Sequence, residues 1–177
     1  VGADPFIVNV ARLRRTPGAR RHEVRHGPAE LISELRPATA ADSAVPPGAE
    51  VTADVVLESY PGAVMVTGTV SAPWQGVCRR CTVAVGGQLS LAVGERYVDD
   101  EPGRHRPDDE EAYPLVDDQL DLKPLVRDAL LLELPLAPLC RETCAGLCPT
   151  CGIDRNVEEC GCVAPRDARW ANLDVLR

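Results

Sequence analysis

The sequence predicts an α+β fold in which an antiparallel β meander packs with one main helix and is followed by a C-terminal Cys-rich knuckle segment. Three observations predict it. Apolar residues recur with period two from Val51 to Val98, the pattern of half-buried strands. Leu122, Leu125, Val126, Ala129 and Leu130 follow the i, i+3, i+4 spacing of an amphipathic helix. Eight cysteines, far above ordinary usage, fall into four close pairs.

From the N-terminus, the first feature is a basic cluster of Arg12, Arg14, Arg15, Arg20, Arg21 and Arg25 with His22 and His26, interrupted by Glu23. Such a run either neutralises several phosphates or forms a solvated Arg-rich loop. The meander follows. Val51, Ala53, Val55 and Leu57 face one way, with Thr52, Asp54 and Glu58 opposite. A Tyr60-Pro61-Gly62-Ala63 turn leads to Val64, Val66 and Val70, alternating with Met65, Thr67, Thr69 and Ser71. A third run sets Val83, Val85, Leu89, Leu91, Val93 and Tyr97 against Thr82, Gln88, Ser90 and Arg96. Cys78-Arg79-Arg80-Cys81 lies between the second and third runs, so the meander presents it at a hairpin tip.

Residues 99–118, rich in Asp and Glu, read as an acidic solvated loop. The helix is expected over about 121–134, with Asp121 as its cap, Pro124 in its first turn and Pro135 as its stop. A short capped helix is expected from Asp167 to Leu176, with Trp170 and Leu173 packing. The organisation is therefore a β core with its helix and acidic loop over 1–139, and a metal-binding tail with a short helix over 140–177. Cys78 and Cys81 join the tail to the core.

A chain of 177 residues holds one compact domain, or one with a small appendage. Aromatics are only 3%, which leaves core burial to Val, Leu, Ile and Ala and argues against the stacking platforms of RRM or OB domains. No apolar run approaches the roughly 18 residues of a membrane span, and the opening lacks the apolar stretch of a signal peptide. A cytoplasmic protein without a membrane partner is expected. Charge is uneven: residues 1–98 hold 10 Arg against 9 acidic residues, while 99–177 hold 9 basic against 18 acidic. The two halves therefore meet different partners or different faces.

The cysteines are Cys78, Cys81, Cys140, Cys144, Cys148, Cys151, Cys160 and Cys162, spaced as CxxC, CxxxC, CxxC and CxC. In a reducing compartment such pairs are metal ligands or redox centres more often than disulfides. Closed structural zinc sites take four thiolates, and a CxxC turn lets backbone N–H groups point at sulfur. Two Zn²⁺ per chain are expected. Loop length favours a local site of Cys148, Cys151, Cys160 and Cys162, leaving Cys78 and Cys81 to join Cys140 and Cys144. A ribbon-like pairing of Cys78 and Cys81 with Cys148 and Cys151 stays open. Each Zn²⁺ with four thiolates carries a formal −2, which takes the chain from −8 to −12. Bulk charge therefore does not draw it to RNA, but Arg79, Arg80, Arg141 and Arg155 can screen thiolates or contact phosphate.

No HExxH, GxSxG, GxxxxGK[ST] or GxGxxG pattern occurs, and His22, His26 and His105 are remote from every cysteine pair in sequence. Nothing supports an enzyme or a small-molecule substrate. A redox centre of thioredoxin type needs a βαβ context, whereas this CxxC sits in an antiparallel hairpin.

Cys78-Arg79-Arg80-Cys81 after a strand meander, a helix running into Leu134-Pro135-Leu136-Ala137-Pro138-Leu139-Cys140, Cys144-Ala145-Gly146-Leu147-Cys148-Pro149-Thr150-Cys151-Gly152, Cys160-Gly161-Cys162 and an Arg-Trp-x-x-Leu tail together resemble the YceD family. The family's usual Asn-Leu-Asn after the knuckle is here Asp154-Arg155-Asn156, and its Asp-Pro-Arg is Asp167-Ala168-Arg169. The resemblance implies a factor in large ribosomal subunit biogenesis and 23S rRNA accumulation. Such a factor acts on 23S rRNA or a large-subunit precursor, on a ribosomal protein, or on both. The candidate nucleic-acid contacts are Arg12, Arg14, Arg15, Arg20, Arg21, Arg25, Arg79, Arg80 and Arg141. The competing reading is a thiol-redox or zinc-responsive regulator.

Overall fold

Alternation of β-branched and polar residues builds a sheet whose buried face is nearly all aliphatic. The computed structural model describes residues 4–32, 35, 43–99 and 112–163. In β4 (Glu50–Tyr60) the side chains of Val51, Ala53, Val55 and Leu57 are fully buried, while Glu50, Asp54 and Tyr60 face solvent. β5 (Ala63–Val77) pairs antiparallel with β4 from Tyr60↔Ala63 to Thr52↔Ser71. It pairs on its other side with β6 (Ala84–Asp99), from Ala63↔Val98 to Val77↔Ala84. These three strands are the expected meander.

The remainder is richer in β structure than a simple meander. Among the described residues the sheet has eight strands. The basic stretch is not a loop: Arg20–Pro28 forms edge strand β2, antiparallel to β4 from Arg20↔Glu58 to Pro28↔Glu50. It follows a short helix α1 (Ala11–Arg14), with β1 (Ile7–Asn9) before that. Alternation explains the strand, because Arg21, Glu23 and Arg25 share the half-buried face and Arg20, His22, Val24 and His26 the exposed one. On the half-buried face Glu23 neutralises both neighbours, at 2.8 Å from Arg21 Nε and 2.7 Å from Arg25 Nη2.

The acidic stretch also differs from expectation at both ends. Asp99 closes β6, Tyr113–Val116 forms β7, and Gln119–Asp121 forms β8; residues 100–111 lie outside the described residues. β7 joins β6 in parallel at Tyr97–Asp99, so the sheet is mixed. β8 then pairs antiparallel with β7 and with β1. A two-residue strand β3 (Ser43–Ala44) pairs with β5 at Gly76 and Gln75.

Helix α2 (Lys123–Glu133) lies against β5 and β6 and buries Leu125, Val126 and Leu130. Its cap position is Leu122, one residue after the expected Asp121, and Leu122 has no capping side chain; the Asp121 carboxylate still accepts the Lys123 N–H at 2.9 Å, and Pro124 sits in the first turn. Beneath it Tyr97 is fully buried and donates its hydroxyl to the Asp121 carbonyl at 2.9 Å. After α2 the chain to Val163 makes no helix or strand and carries one isolated bridge, Leu147↔Asp154. The expected helix at 167–176, with Trp170 and Leu173, and His105 lie outside the described residues. No helix among those described is long and apolar enough to cross a membrane.

Candidate metal centres

The β5–β6 hairpin ends in a knuckle. The Cys78 N–H donates to the Val83 carbonyl at 2.8 Å, and the Thr82 N–H donates to the Cys78 carbonyl at 2.8 Å. Residues 148–153 repeat this pattern: the Cys148 N–H reaches the Ile153 carbonyl at 2.8 Å and the Gly152 N–H reaches the Cys148 carbonyl at 2.9 Å. The fifth residue is left-handed in both, with φ 76° at Gly152 and 62° at Thr82. Glycine adopts that conformation freely; a β-branched residue does not. Thr82 is held there by its backbone bond and by its hydroxyl, which donates to the Cys81 carbonyl at 2.7 Å.

The cysteines gather in two groups of four, Cys78, Cys81, Cys140 and Cys144, and Cys148, Cys151, Cys160 and Cys162. Within each group the sulfurs all lie within 4.8 Å of one another. All eight are free thiols. In the first group Cys78 and Cys144 sulfurs are 3.8 Å apart and Cys81 and Cys140 sulfurs 3.7 Å. A disulfide needs about 2.05 Å, whereas a tetrahedron with metal–sulfur bonds of about 2.3 Å has edges of about 3.8 Å. The donor set and its spacing therefore fit a tetrahedral metal ion. Cys78, Cys81 and Cys144 are buried and Cys140 exposed; in the second group only Cys148 is buried.

Charge explains why such a cluster calls for a cation. Burial opposes ionisation of Cys78, but N–H groups of Cys140, Cys81 and Arg80 directed at its sulfur bring the thiol down to about 6. Cys144 is also lowered: against its burial act the Asn156 side-chain amide, with Nδ2 3.4 Å from the sulfur, and the Gly146 N–H. The other two thiols go the opposite way. The Val83 N–H favours ionised Cys81, but burial and the sulfurs of Cys78 and Cys144 outweigh it. Cys140 is exposed as a residue, but desolvation of its sulfur within the cluster and the three neighbouring sulfurs push it up to about 12. In the second group the Cys151 and Thr150 N–H groups bring Cys148 down to about 6, while the sulfur of Cys151, then desolvation of the Cys162 sulfur among its neighbours, push Cys162 up to about 12 although that residue is exposed. Four thiolates cannot coexist at this spacing, and a divalent cation removes the repulsion.

The two groups are mechanically joined. The Arg80 carbonyl accepts the Leu147 N–H at 2.9 Å, and its guanidinium donates to the carbonyls of Cys144 at 2.8 Å and Glu142 at 3.2 Å. Arg141 donates to Asn156 Oδ1 at 2.8 Å. Arg79 anchors the backbone through its N–H to the Pro138 carbonyl at 2.9 Å. Reasoning from sequence singled out none of Thr82, Gly146 and Asn156 as parts of the site. A CxxCG knuckle repeated as CxxCT was the available sign for Thr82.

The N-terminal arginines are not part of these centres. Arg14 Nη2 bonds both carboxylate oxygens of Asp99, at 2.7 and 2.6 Å, and its Nη1 pairs with Asp118. Arg20 pairs with Glu58 at 3.0 Å, and Arg21 donates to the Asn9 carbonyl at 2.8 Å. Arg12 and Arg15 are exposed at α1. His22 faces Asp54 at 2.5 Å, away from every cysteine group.

Residues 66–177, which contain all eight cysteines, match the family described as large ribosomal RNA subunit accumulation protein YceD. The chain belongs to the YceD family. An uncharacterised protein of Mycobacterium tuberculosis is 38% identical over 174 residues, 97% of this chain and 81% of that protein. A second, from Mycobacterium leprae, is 36% identical over 131 residues, 73% of this chain and 60% of that protein. A maize protein, large ribosomal RNA subunit accumulation protein YCED homolog 1, chloroplastic, is 34% identical over 62 residues, 35% of this chain and 21% of its own. No solved structure matches. The YceD match begins inside β5, so Arg12 to Arg25 on α1 and β2 lie before it.

Proposed function

We propose that this YceD protein is a non-enzymatic, zinc-binding cytoplasmic factor in large ribosomal subunit biogenesis and 23S rRNA accumulation. Its partners are 23S rRNA or a large-subunit precursor, a ribosomal protein, or both. The observation that carries the reading is the pair of tetracysteine groups in a member of a family described by large-subunit rRNA accumulation. Closed all-thiolate sites suit Zn²⁺ in a structural role, because catalytic zinc keeps an open position and draws on His or carboxylate ligands. The zinc reading also explains how the chain from Cys140 to Val163 holds its shape without helix or strand. Structural zinc contributes on the order of 10–16 kcal/mol, against roughly 5–15 kcal/mol for a whole domain.

Elemental analysis of protein purified under reducing conditions is expected to return two zinc ions per chain. Chelation is expected to free the amides of residues 140–163 to hydrogen exchange before those of β4 to β6. Less than one zinc per chain with metal available overturns the metal half. RNA crosslinked to the protein in cells is expected to be enriched in 23S sequence; no such enrichment, with no ribosomal protein crosslinked either, overturns the other half.

A further inference from the structure

Strand β6 has an outer edge that no described strand covers. β7 pairs with it only at Tyr97–Asp99, and from Ala84 to Glu95 its pairing is to β5 alone. Natural sheets protect such edges with Lys, Pro, inward charges, bulges or a covering helix. Ala84 to Glu95 contains no Lys, Arg or Pro and a single charge, Glu95. Helix α2 does not close over it. Between the helix and β6 residues 90–95 lies a cleft of about 480 Å³. Its floor includes the half-buried Leu91 and Val93 and its rim Leu132, which is 85% exposed. Glu95, Asp128 and Glu133 also line it, and no basic residue does.

We propose that this cleft is a docking site for an extended, basic peptide segment of a partner protein, which adds a strand to the outer edge of β6 beside α2. Main-chain pairing to the edge supplies affinity and alternate side chains entering the cleft supply specificity. Six residues at about 3.4 Å each span roughly 20 Å, matching the run from Ser90 to Glu95. Side chains on the cleft side fall on every second residue. Apolar ones meet Leu91, Val93 and Leu132, and basic ones meet Glu95 and Glu133. Asp128 is paired with Arg127 at 2.8 Å, so the charge that selects this occupant over RNA comes from Glu95 and Glu133, which repel phosphates. The inference gives a chemistry to the protein-partner branch of the proposed function yet needs neither metal nor RNA, so each can fail without the other.

The test uses the full chain as purified under reducing conditions and a blocked peptide, Val-Thr-Val-Thr-Arg-Thr-Arg, with two controls: Glu in place of Arg, and N-methylation of alternate backbone amides. The basic peptide is expected to bind and to slow hydrogen exchange within Ser90–Glu95, with both controls at least about tenfold weaker. Leu132→Lys, at an exposed position, is expected to weaken binding about tenfold with unchanged thermal unfolding. Glu95→Gln with Glu133→Gln is expected to flatten the salt dependence. Absence of binding, binding equal for all three peptides, or binding without protection of Ser90–Glu95 overturns the proposal. So does a dimer in sedimentation that protects the same amides, which assigns the edge to a second copy of the chain.

Discussion

Asn156, in the loop between Cys151 and Cys160, places its Nδ2 3.4 Å from the sulfur of Cys144 in the other cysteine group. Its Oδ1 accepts the Ala145 N–H and an Arg141 Nη2–H, each at 2.8 Å. Asp154 holds the side chain in place, its Oδ1 lying 2.6 Å from Asn156 Nδ2 and 2.9 Å from the Asn156 N–H. A residue belonging by position to the second group thus supports a cysteine of the first. Hydrogen bonds tie the two cysteine groups together.

Outer-shell partners of this kind affect metal affinity by about 10- to 100-fold when removed. Asn156→Ala is therefore expected to weaken the first centre by about tenfold or more, although no ligand is changed. Stepwise competition with a chromophoric chelator measures it. Equal metal retention in the variant and the parent chain would show that Asn156 merely fills space.

Gly146 makes a second prediction about the same joint. Its φ is 72°, and a Cβ there would lie 2.8 Å from the Arg80 carbonyl oxygen, a backbone atom already bonded to the Leu147 N–H. Gly152 has a similar φ of 76° but open space around it. The left-handed conformation costs a side-chain-bearing residue about 1–2 kcal/mol, so Gly152→Ala is expected to lose that much. Gly146→Ala adds a backbone clash and is expected to lose more. Urea unfolding of the two variants, prepared identically, compares them directly.

The parts visible in the sequence are those governed by local period or by count. Val51 to Leu57 alternates because one face is buried and the other wet, and Leu122 to Leu130 follows the helix for the same reason. Cysteine spacing likewise favoured the grouping that the sulfurs adopt. β2 was hidden because its inward face is Arg21, Glu23 and Arg25, whose charges cancel only across the strand's own period. β7 was hidden because four residues beside an acidic stretch carry almost no periodic signal, and their parallel pairing to β6 depends on a distant strand. Asn156 could not be found, since its role depends on a fold-back of twelve residues onto Cys144.

At the other end of the molecule Asp4 and the sole lysine, Lys123, lie 2.7 Å apart and tie the N-terminal segment to the start of α2. Partial burial opposes ionisation of Asp4, but the Lys123 ammonium and the Phe6 N–H hold its carboxyl below the ordinary 3.8. Pairing with Asp4 outweighs burial at Lys123 and holds its ammonium above the ordinary 10.5. The Asp4 contribution is thus complete above pH 3.8 and vanishes as pH falls through the lower folded value. The Lys123 contribution is complete below pH 10.5 and vanishes as pH rises through the higher one. Asp4→Asn is expected to cost about 0.5–1 kcal/mol at neutral pH, and the gap from the parent chain should narrow as pH drops below 3.8. Comparing the two chains at each pH cancels any effect of acid on the cysteine groups, which both chains share. A gap constant from about pH 7 to about pH 3 would show that the charge of Asp4 contributes nothing to the difference.

The arginines of the N-terminal region divide into two kinds, and the division sets how an RNA experiment must be built. Arg14 clamps Asp99 at the end of β6 and Asp118 in the β7–β8 turn. Hydrogen bonds to charged groups contribute about 1.5–3 kcal/mol, so Arg14→Ala is expected to destabilise the fold by about 2 kcal/mol whatever the protein binds. Arg12 and Arg15 are exposed on and just after the same helix. If this surface meets rRNA, Arg12→Ala with Arg15→Ala should leave unfolding unchanged. Each phosphate that the variant no longer neutralises should reduce the slope of log K against log salt by about 0.7–0.9. Filter binding of large-subunit RNA across a salt series measures that slope. An unchanged slope in the double variant leaves the arginines of β2, of which Arg20 has its side chain 68% exposed, or Arg79, Arg80 and Arg141 around the first centre, where Arg80 and Arg141 already bond protein oxygens through their side chains. Binding there would have to compete with the bonds that join the two cysteine groups, and RNA should then alter the rate at which metal passes to a chelator.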